Sequence, residues 1–92
     1  MAFVYVLRSS STGGLYTGAT TDLERRLFQH NANRSRSTKN RGPWMLVHKE
    51  EFSSLSAAYR RERFLKTGKG RDELRRILAG AELLANTAAA VS

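Results

Sequence analysis

Phe3-Val4-Tyr5-Val6-Leu7, then Ser9-Ser10-Ser11-Thr12-Gly13-Gly14, then Leu15-Tyr16-Thr17-Gly18: the reading of this stretch decides the fold. The first run is rich in β-branched and aromatic residues, which suit a pleated, half-buried strand. The polar, glycine-bearing loop and the second short β-run behind it predict an antiparallel hairpin. Gly18 is expected to end that second strand, as a bend or as a place where backbone or ligand comes close. Just beyond, Thr21-Asp22-Leu23-Glu24 has the form of a capping box, with Thr21 as the cap and Glu24 reaching back. The helix it opens carries Leu23 and Leu27 one turn apart, with His30 on the same side.

Residues 31–43 are polar, basic and aperiodic, and read as a loop. Trp44-Met45-Leu46-Val47-His48 reads as a third strand, entered after Pro43, which has no N–H to give a ladder. Ser53 or Ser54 can cap a second helix whose apolar positions, Leu55, Ala58, Tyr59 and Leu65, fall on one face. Gly68 and Gly70 interrupt it. Residues 72–79 predict a third helix, with Leu74, Ile77 and Leu78 inward and Asp72 and Glu73 favourably placed in its first turn. The Ala-rich remainder, residues 81–92, is expected as a frayed or disordered tail behind a single domain over residues 1–80. The order β-β-α-β-α-α predicts an α+β fold: a small, three-stranded, mainly antiparallel sheet flanked by about three helices.

Composition narrows the class of protein. At 92 residues, a chain of one small domain buries roughly 60–65% of the surface its unfolded form exposes. It has no cysteine, so neither disulfides nor thiolate metal sites contribute. No apolar run approaches a membrane span, and the start lacks the layout of a signal peptide, so the expected location is cytoplasmic, or at the nucleoid in a bacterium. Sixteen Lys and Arg against eight Asp and Glu give a net charge of +8. Residues 25–49 hold Arg25, Arg26, Arg34, Arg36, Lys39, Arg41 and Lys49 and no acidic residue. A second basic run, residues 60–76, holds Arg60, Arg61, Arg63, Lys66, Lys69, Arg71, Arg75 and Arg76 against Glu62, Asp72 and Glu73. Arginine dominates, and its planar fork suits bidentate contact with phosphate. The charge layout alone also fits an acidic protein partner, or a solvated surface with no partner.

Three sets of residues are not explained by folding alone. Glu62 lies three residues after Tyr59, four after Ala58 and three before Leu65, within the apolar stripe of its helix. A carboxylate there needs a compensating cation or metal, unless it pairs with an arginine of the first helix or reaches solvent at an edge. Arg26 and His30, four apart, project from neighbouring places on one helix face. Tyr5 shares a strand face with Phe3 and Leu7, and Tyr16 on the hairpin partner could meet it across the sheet. Two decoys fall away. Lys66-Thr67-Gly68-Lys69-Gly70 lacks the pattern and preceding strand of a P-loop, and His30 and His48 are too far apart to form a helical zinc pair.

Taken in order, Phe3-Val4-Tyr5, Tyr16-Thr17-Gly18, Arg26, His30 and Glu62 resemble the GIY-YIG endonuclease superfamily. Ten residues separate the two tyrosines. The segment from Gly18 to Asn31 is similar to the family's helix with its catalytic arginine, here Arg26. Ala57-Ala58-Tyr59-Arg60-Arg61-Glu62 is similar to the segment that delivers the metal-binding glutamate. The chain departs from the motif at Phe3, which stands for a glycine, and at Val4 and Thr17, which stand for isoleucines. The likeness is to the small, stand-alone bacterial branch and to the catalytic module of excinuclease C-type and structure-specific nucleases.

The resemblance implies a divalent-metal-dependent endonuclease acting on DNA, structure-selective or weakly sequence-specific, with a role in repair or recombination. It implies one Mg²⁺ or Mn²⁺ on Glu62, a forked contact from Arg26 to the scissile phosphate, and water activation by Tyr5 at a lowered pKa. Tyr16 and His30 are the further candidates for orienting water or relaying a proton, and Gly18 would let backbone approach the phosphate. Arg25, Arg34, Arg36, Lys39, Arg41, Arg60, Arg61, Arg63, Lys66 and Lys69 are the expected nucleic-acid contacts. Many members carry a separate DNA-recognition module, and none fits within these residues, so a protein partner supplying targeting is left open. The alternative is a non-catalytic nucleic-acid-binding module on the same scaffold.

Overall fold

The computed structural model describes residues 1–36 and 38–80 in full and residues 81–91 by their backbone. Six elements follow in the expected order: β1 (Ala2–Ser9), β2 (Leu15–Thr20), α1 (Leu23–Asn31), β3 (Trp44–Phe52), α2 (Leu55–Leu65) and α3 (Gly68–Val91). The strands form one antiparallel sheet in the order β2-β1-β3, which puts the most apolar strand in the middle. The expectation for residues 81–92 lies outside the fully described residues.

Alternation along β1 divides the interior in two. Ala2, Val4 and Val6 face Ala58 and Leu65 of α2 and Leu74 and Leu78 of α3. Tyr5 and Leu7 face the other way, onto Trp44, Tyr16, and Leu23 and Leu27 of α1. Both faces of β1 are therefore covered, and each fully buried aliphatic side chain on it contributes roughly 1.5–3 kcal/mol. Tyr5 belongs to the smaller, more polar of the two cores. Against β3 the register slips between Val6 and Leu7, which pair with His48 and Leu46. Val47 is the extra residue of that bulge, an irregularity that bends and twists the strand carrying it.

Several boundaries differ from expectation for local reasons. The α1 cap is Asp22, whose carboxylate accepts from Arg25 N–H at 3.1 Å. Thr21 does not cap, because the Thr20 hydroxyl engages the backbone of Asp22 and starts the helix one residue later. That shift takes Glu24 out of capping-box register. Ser54 rather than Ser53 caps α2, accepting from Ala57 N–H. β3 runs four residues past His48 because its polar end keeps pairing with Ala2, Phe3 and Val4. α3 begins at Gly68, not residue 72, since Thr67 Oγ1 accepts from Gly70 N–H and acts as a cap. Gly18 lies inside β2, paired with Tyr5, and does not end the strand.

Loop 32–43 is tied down at both ends. The Asn31 side chain donates to the Trp44 carbonyl and accepts from its N–H, at 3.1 and 2.6 Å, so the end of α1 is clasped to the start of β3. Within the loop Asn33 and Asn40 take left-handed φ values of 59° and 64°, a region asparagine tolerates well. Asn33 Oδ1 accepts from Asn40 N–H across the loop. Its buried anchor is Thr38, whose carbonyl accepts from the Trp44 indole N–H.

Candidate active site

Tyr5, on the central strand, and His30, in the last turn of α1, meet inside the smaller core. The Tyr5 hydroxyl and His30 Nε2 are 2.9 Å apart, and His30 Nδ1 is 2.7 Å from the Thr38 hydroxyl. All three side chains are almost completely buried. Tyr16 closes the group from β2, its ring centroid 4.9 Å from that of His30 and 6.2 Å from that of Tyr5. Trp44 packs on the far edge of Tyr16. The two phenols do meet, as the hairpin reading allows.

Gly18 is the floor of this arrangement. A Cβ there would lie 2.5 Å from the Tyr5 hydroxyl oxygen and 2.6 Å from Cζ, so the tyrosine ring lies flat across β2 only because residue 18 has no side chain. The sequence reading gave this glycine to a phosphate. In the structure the group that lies over it is Tyr5.

Arg26, one turn before His30, is half-buried beside the Tyr5 hydroxyl and close to Tyr16. Its Nη1 donates to Gln29 Oε1 at 2.9 Å, which orients the guanidinium. Burial pushes the Tyr5 phenol up, and the hydrogen bond and charge of Arg26 oppose that without cancelling it. The lowered phenol expected from neighbouring cations is therefore not what the protein alone provides. Burial also dominates at His30, and with the Arg26 charge beside it the imidazole is lowered to about 4. His30 is thus neutral at physiological pH, with one nitrogen a donor and the other an acceptor.

Glu62 comes from α2, near enough for its charge to push Tyr5 further up. Its side chain is 16% exposed, and Lys66, one turn on, donates to Oε1 at 2.6 Å. The cation that compensates this inward carboxylate is therefore a lysine of its own helix, not an arginine of α1. Among the described residues no three His, Asp or Glu side chains are grouped to hold a metal. A single carboxylate is nevertheless a donor set suited to Mg²⁺ or Mn²⁺, which bind through one or two carboxylates and complete their shells with water and substrate phosphate. The Lys66 ammonium holds Oε1 of that carboxylate at 2.6 Å.

The basic residues divide by position. Arg25, Arg34, Arg36, Lys39, Arg41, Arg60, Arg63, Lys66 and Lys69 are exposed, with Arg34 stacked over the Phe28 ring. Arg61 is committed elsewhere: it bridges Glu50 of β3 and Glu73 of α3, at 2.8 and 3.0 Å, and ties three elements together. Its expected contact with nucleic acid competes with that network. Arg71 and Arg75, from the second basic run, join Arg41 and Lys66 around a groove of about 450 Å³ lined also by Leu15, Tyr16 and Leu74. In α3 the two arginines are four residues apart, on the side of the groove shared with Leu15, Tyr16 and Thr17 of β2. Tyr16 and Lys66 connect this groove to Tyr5 and Glu62. Thr38 was missed as well, because a threonine in a polar loop carries no signal of burial.

A tyrosine pair, an arginine and a histidine on the following helix, and a glutamate from α2, all on this β-β-α-β-α-α scaffold, have the layout of a nuclease-type domain. The chain belongs to the GIY-YIG family: the model of the GIY-YIG catalytic domain matches residues 1–75. Among its relatives is UPF0213 protein SH2523 of Staphylococcus haemolyticus, 42% identical over 76 residues that cover 82% of this chain and 92% of that one. UPF0213 protein NP_0776A of Natronomonas pharaonis is 47% identical over 66 residues, covering 71% and 76% of the two chains. The solution NMR structure of UPF0213 protein BH0048 from Bacillus halodurans shares the fold, with a TM-score of 0.50 and 33% identity over 84% of this chain and 85% of that one. The family implies a nucleic-acid substrate. No described helix is long and apolar enough to cross a membrane.

Proposed function

We propose that this protein is a divalent-metal-dependent endonuclease that hydrolyses DNA phosphodiester bonds, selecting by DNA structure or weakly by sequence, in repair or recombination. The observation that carries this reading is the convergence of buried Tyr5 and His30, 2.9 Å apart, with the half-buried Arg26 beside the Tyr5 hydroxyl. Tyr16 and Arg26 are the half-exposed members, and a phosphate seated against them accepts the guanidinium fork as negative charge grows on its oxygens. The Tyr5 oxygen, beside Arg26, gives its own proton to solvent and, as the phenolate, takes the proton of the attacking water directly or through one further water. The water oxygen bonds to phosphorus, the bond to the leaving oxygen breaks, and that oxygen is protonated from solvent.

Glu62 would hold the ion, with Lys66 giving way to it. When bound, the ion neutralises phosphate charge and eases departure of the leaving oxygen. Because His30 is neutral, it can give a hydrogen bond to Tyr5 or take one, and its tautomer decides which.

The test is cleavage of nicked, flapped, forked and single-stranded DNA, with single-stranded RNA as a control, in Mn²⁺, Mg²⁺ or EDTA. Metal-dependent nicking that is lost in Glu62→Ala and Arg26→Ala, with binding retained, is the expected result. Equal activity in wild type and both variants would refute the assignment. Binding with no cleavage of any substrate would make the chain a non-catalytic binding module on this scaffold.

A further inference from the structure

The hydrogen-bond donors and acceptors around His30 can be counted. Among the described residues, the Thr38 hydroxyl has one partner, His30 Nδ1 at 2.7 Å. Thr38 is fully buried, and a buried hydroxyl that gives its proton to no acceptor is costly. The proton of Thr38 therefore goes to Nδ1, which must be the unprotonated nitrogen of the neutral ring. The remaining ring proton sits on Nε2, which faces the Tyr5 oxygen at 2.9 Å. Thr38 itself is held from both sides: its N–H bonds to the Ser35 carbonyl, and its own carbonyl accepts from Arg41 N–H and the Trp44 indole.

We propose that Thr38 is a positioning residue that fixes His30 as the Nε2–H tautomer, so that His30 donates to the Tyr5 oxygen instead of accepting its proton. Tyr5 then receives hydrogen bonds from His30 on one side and Arg26 on the other, and both oppose the burial that pushes its phenol up. The Tyr5 proton leaves to solvent, and the phenolate is restored to phenol by the proton of the attacking water. His30 stays neutral and keeps its proton throughout. The catalytic part of this inference rests on the proposed nuclease reading, while the tautomer does not. The same loop that carries Arg34, Arg36, Lys39 and Arg41 thereby sets the base, so nucleic acid bound along it acts on both sides of the chemistry.

The direct test is the ¹⁵N and ¹H NMR spectrum of the His30 ring in the full chain, in wild type, Thr38→Val and Thr38→Ser. The wild type and Thr38→Ser are expected to show Nε2 protonated and Nδ1 bare. Thr38→Val, which keeps the volume but removes the donor, should show a mixture of tautomers. Under single-turnover conditions Thr38→Val should cleave about tenfold more slowly, one buried hydrogen bond's worth, and Thr38→Ser should recover the rate. A wild-type ring protonated on Nδ1 would overturn the proposal, as would an unchanged tautomer and rate in a folded Thr38→Val. If the tautomers behave as expected but the wild type cleaves no nucleic acid, the nuclease reading fails and the positioning of His30 stands.

Discussion

At the scale of single residues, the site is a set of polar groups held inside a core, and His30 shows the cost. The unfolded chain takes up the imidazole proton near the ordinary value of 6.5, whereas the native ring resists it down to about 4. Between those values the unfolded state binds more protons, so stability present above pH 6.5 is lost as pH falls, at ~1.4 kcal/mol per pH unit. Below pH 4 the loss from this group alone is on the order of 3 kcal/mol. Urea denaturation from pH 7 to 4 should therefore show a shallower decline in His30→Gln than in wild type, and parallel curves would contradict the burial argument. Tyr5, Tyr16, Arg26, His30 and Glu62 were legible in the sequence because their types and order follow a motif. The sign of the Tyr5 shift was not, because it is set by how far the ring sinks over Gly18, which no spacing reports. Lys66, an expected contact to DNA, instead holds its ammonium on Glu62.

The elements were legible where periodicity or caps spoke, and less so where a neighbour set the boundary. β1 and the face of α1 follow from alternation and from Leu23 and Leu27. The polar end of β3 does not read as a strand, yet it pairs with β1 and places Glu50 under Arg61. Burial raises the Glu50 carboxyl, but the bonds from Arg61 and His48 outweigh it and hold the group below its ordinary value. At the junction of α2 and α3, Gly70 is buried against the end of α2. A Cβ on Gly70 would lie 1.9 Å from the Phe64 carbonyl oxygen and 2.5 Å from Leu65 Cα, and backbone atoms cannot swing aside. Gly70→Ala should thus cost roughly 3 kcal/mol or more, beyond the usual penalty of overpacking, and Gly68→Ala, with open space around it, far less. Thermal denaturation of the two variants checks this; equal melting temperatures would mean the helices do not meet at Gly70.

For the whole molecule, two cores on opposite faces of one strand divide the labour. Aliphatic packing with α2 and α3 carries stability, and the aromatic, polar side with α1 carries the site. The +8 charge is consistent with solubility alone, and gains a direction only from the groove that joins Arg41, Lys66, Arg71 and Arg75 to Tyr16. If DNA backbone lies there, Arg71→Ala with Arg75→Ala should make the dependence of log affinity on log salt shallower by about two, read by fluorescence anisotropy. An unchanged slope would move the DNA off this groove. The central claim is that Tyr5 performs chemistry and is not merely a core residue. Single-turnover cleavage of a nicked or forked DNA by Tyr5→Phe, which loses one oxygen and no packing volume, tests it most directly. A fall of at least about a hundredfold with DNA binding unchanged is expected, and a variant that cuts as fast as wild type would contradict a role for Tyr5 in the chemistry.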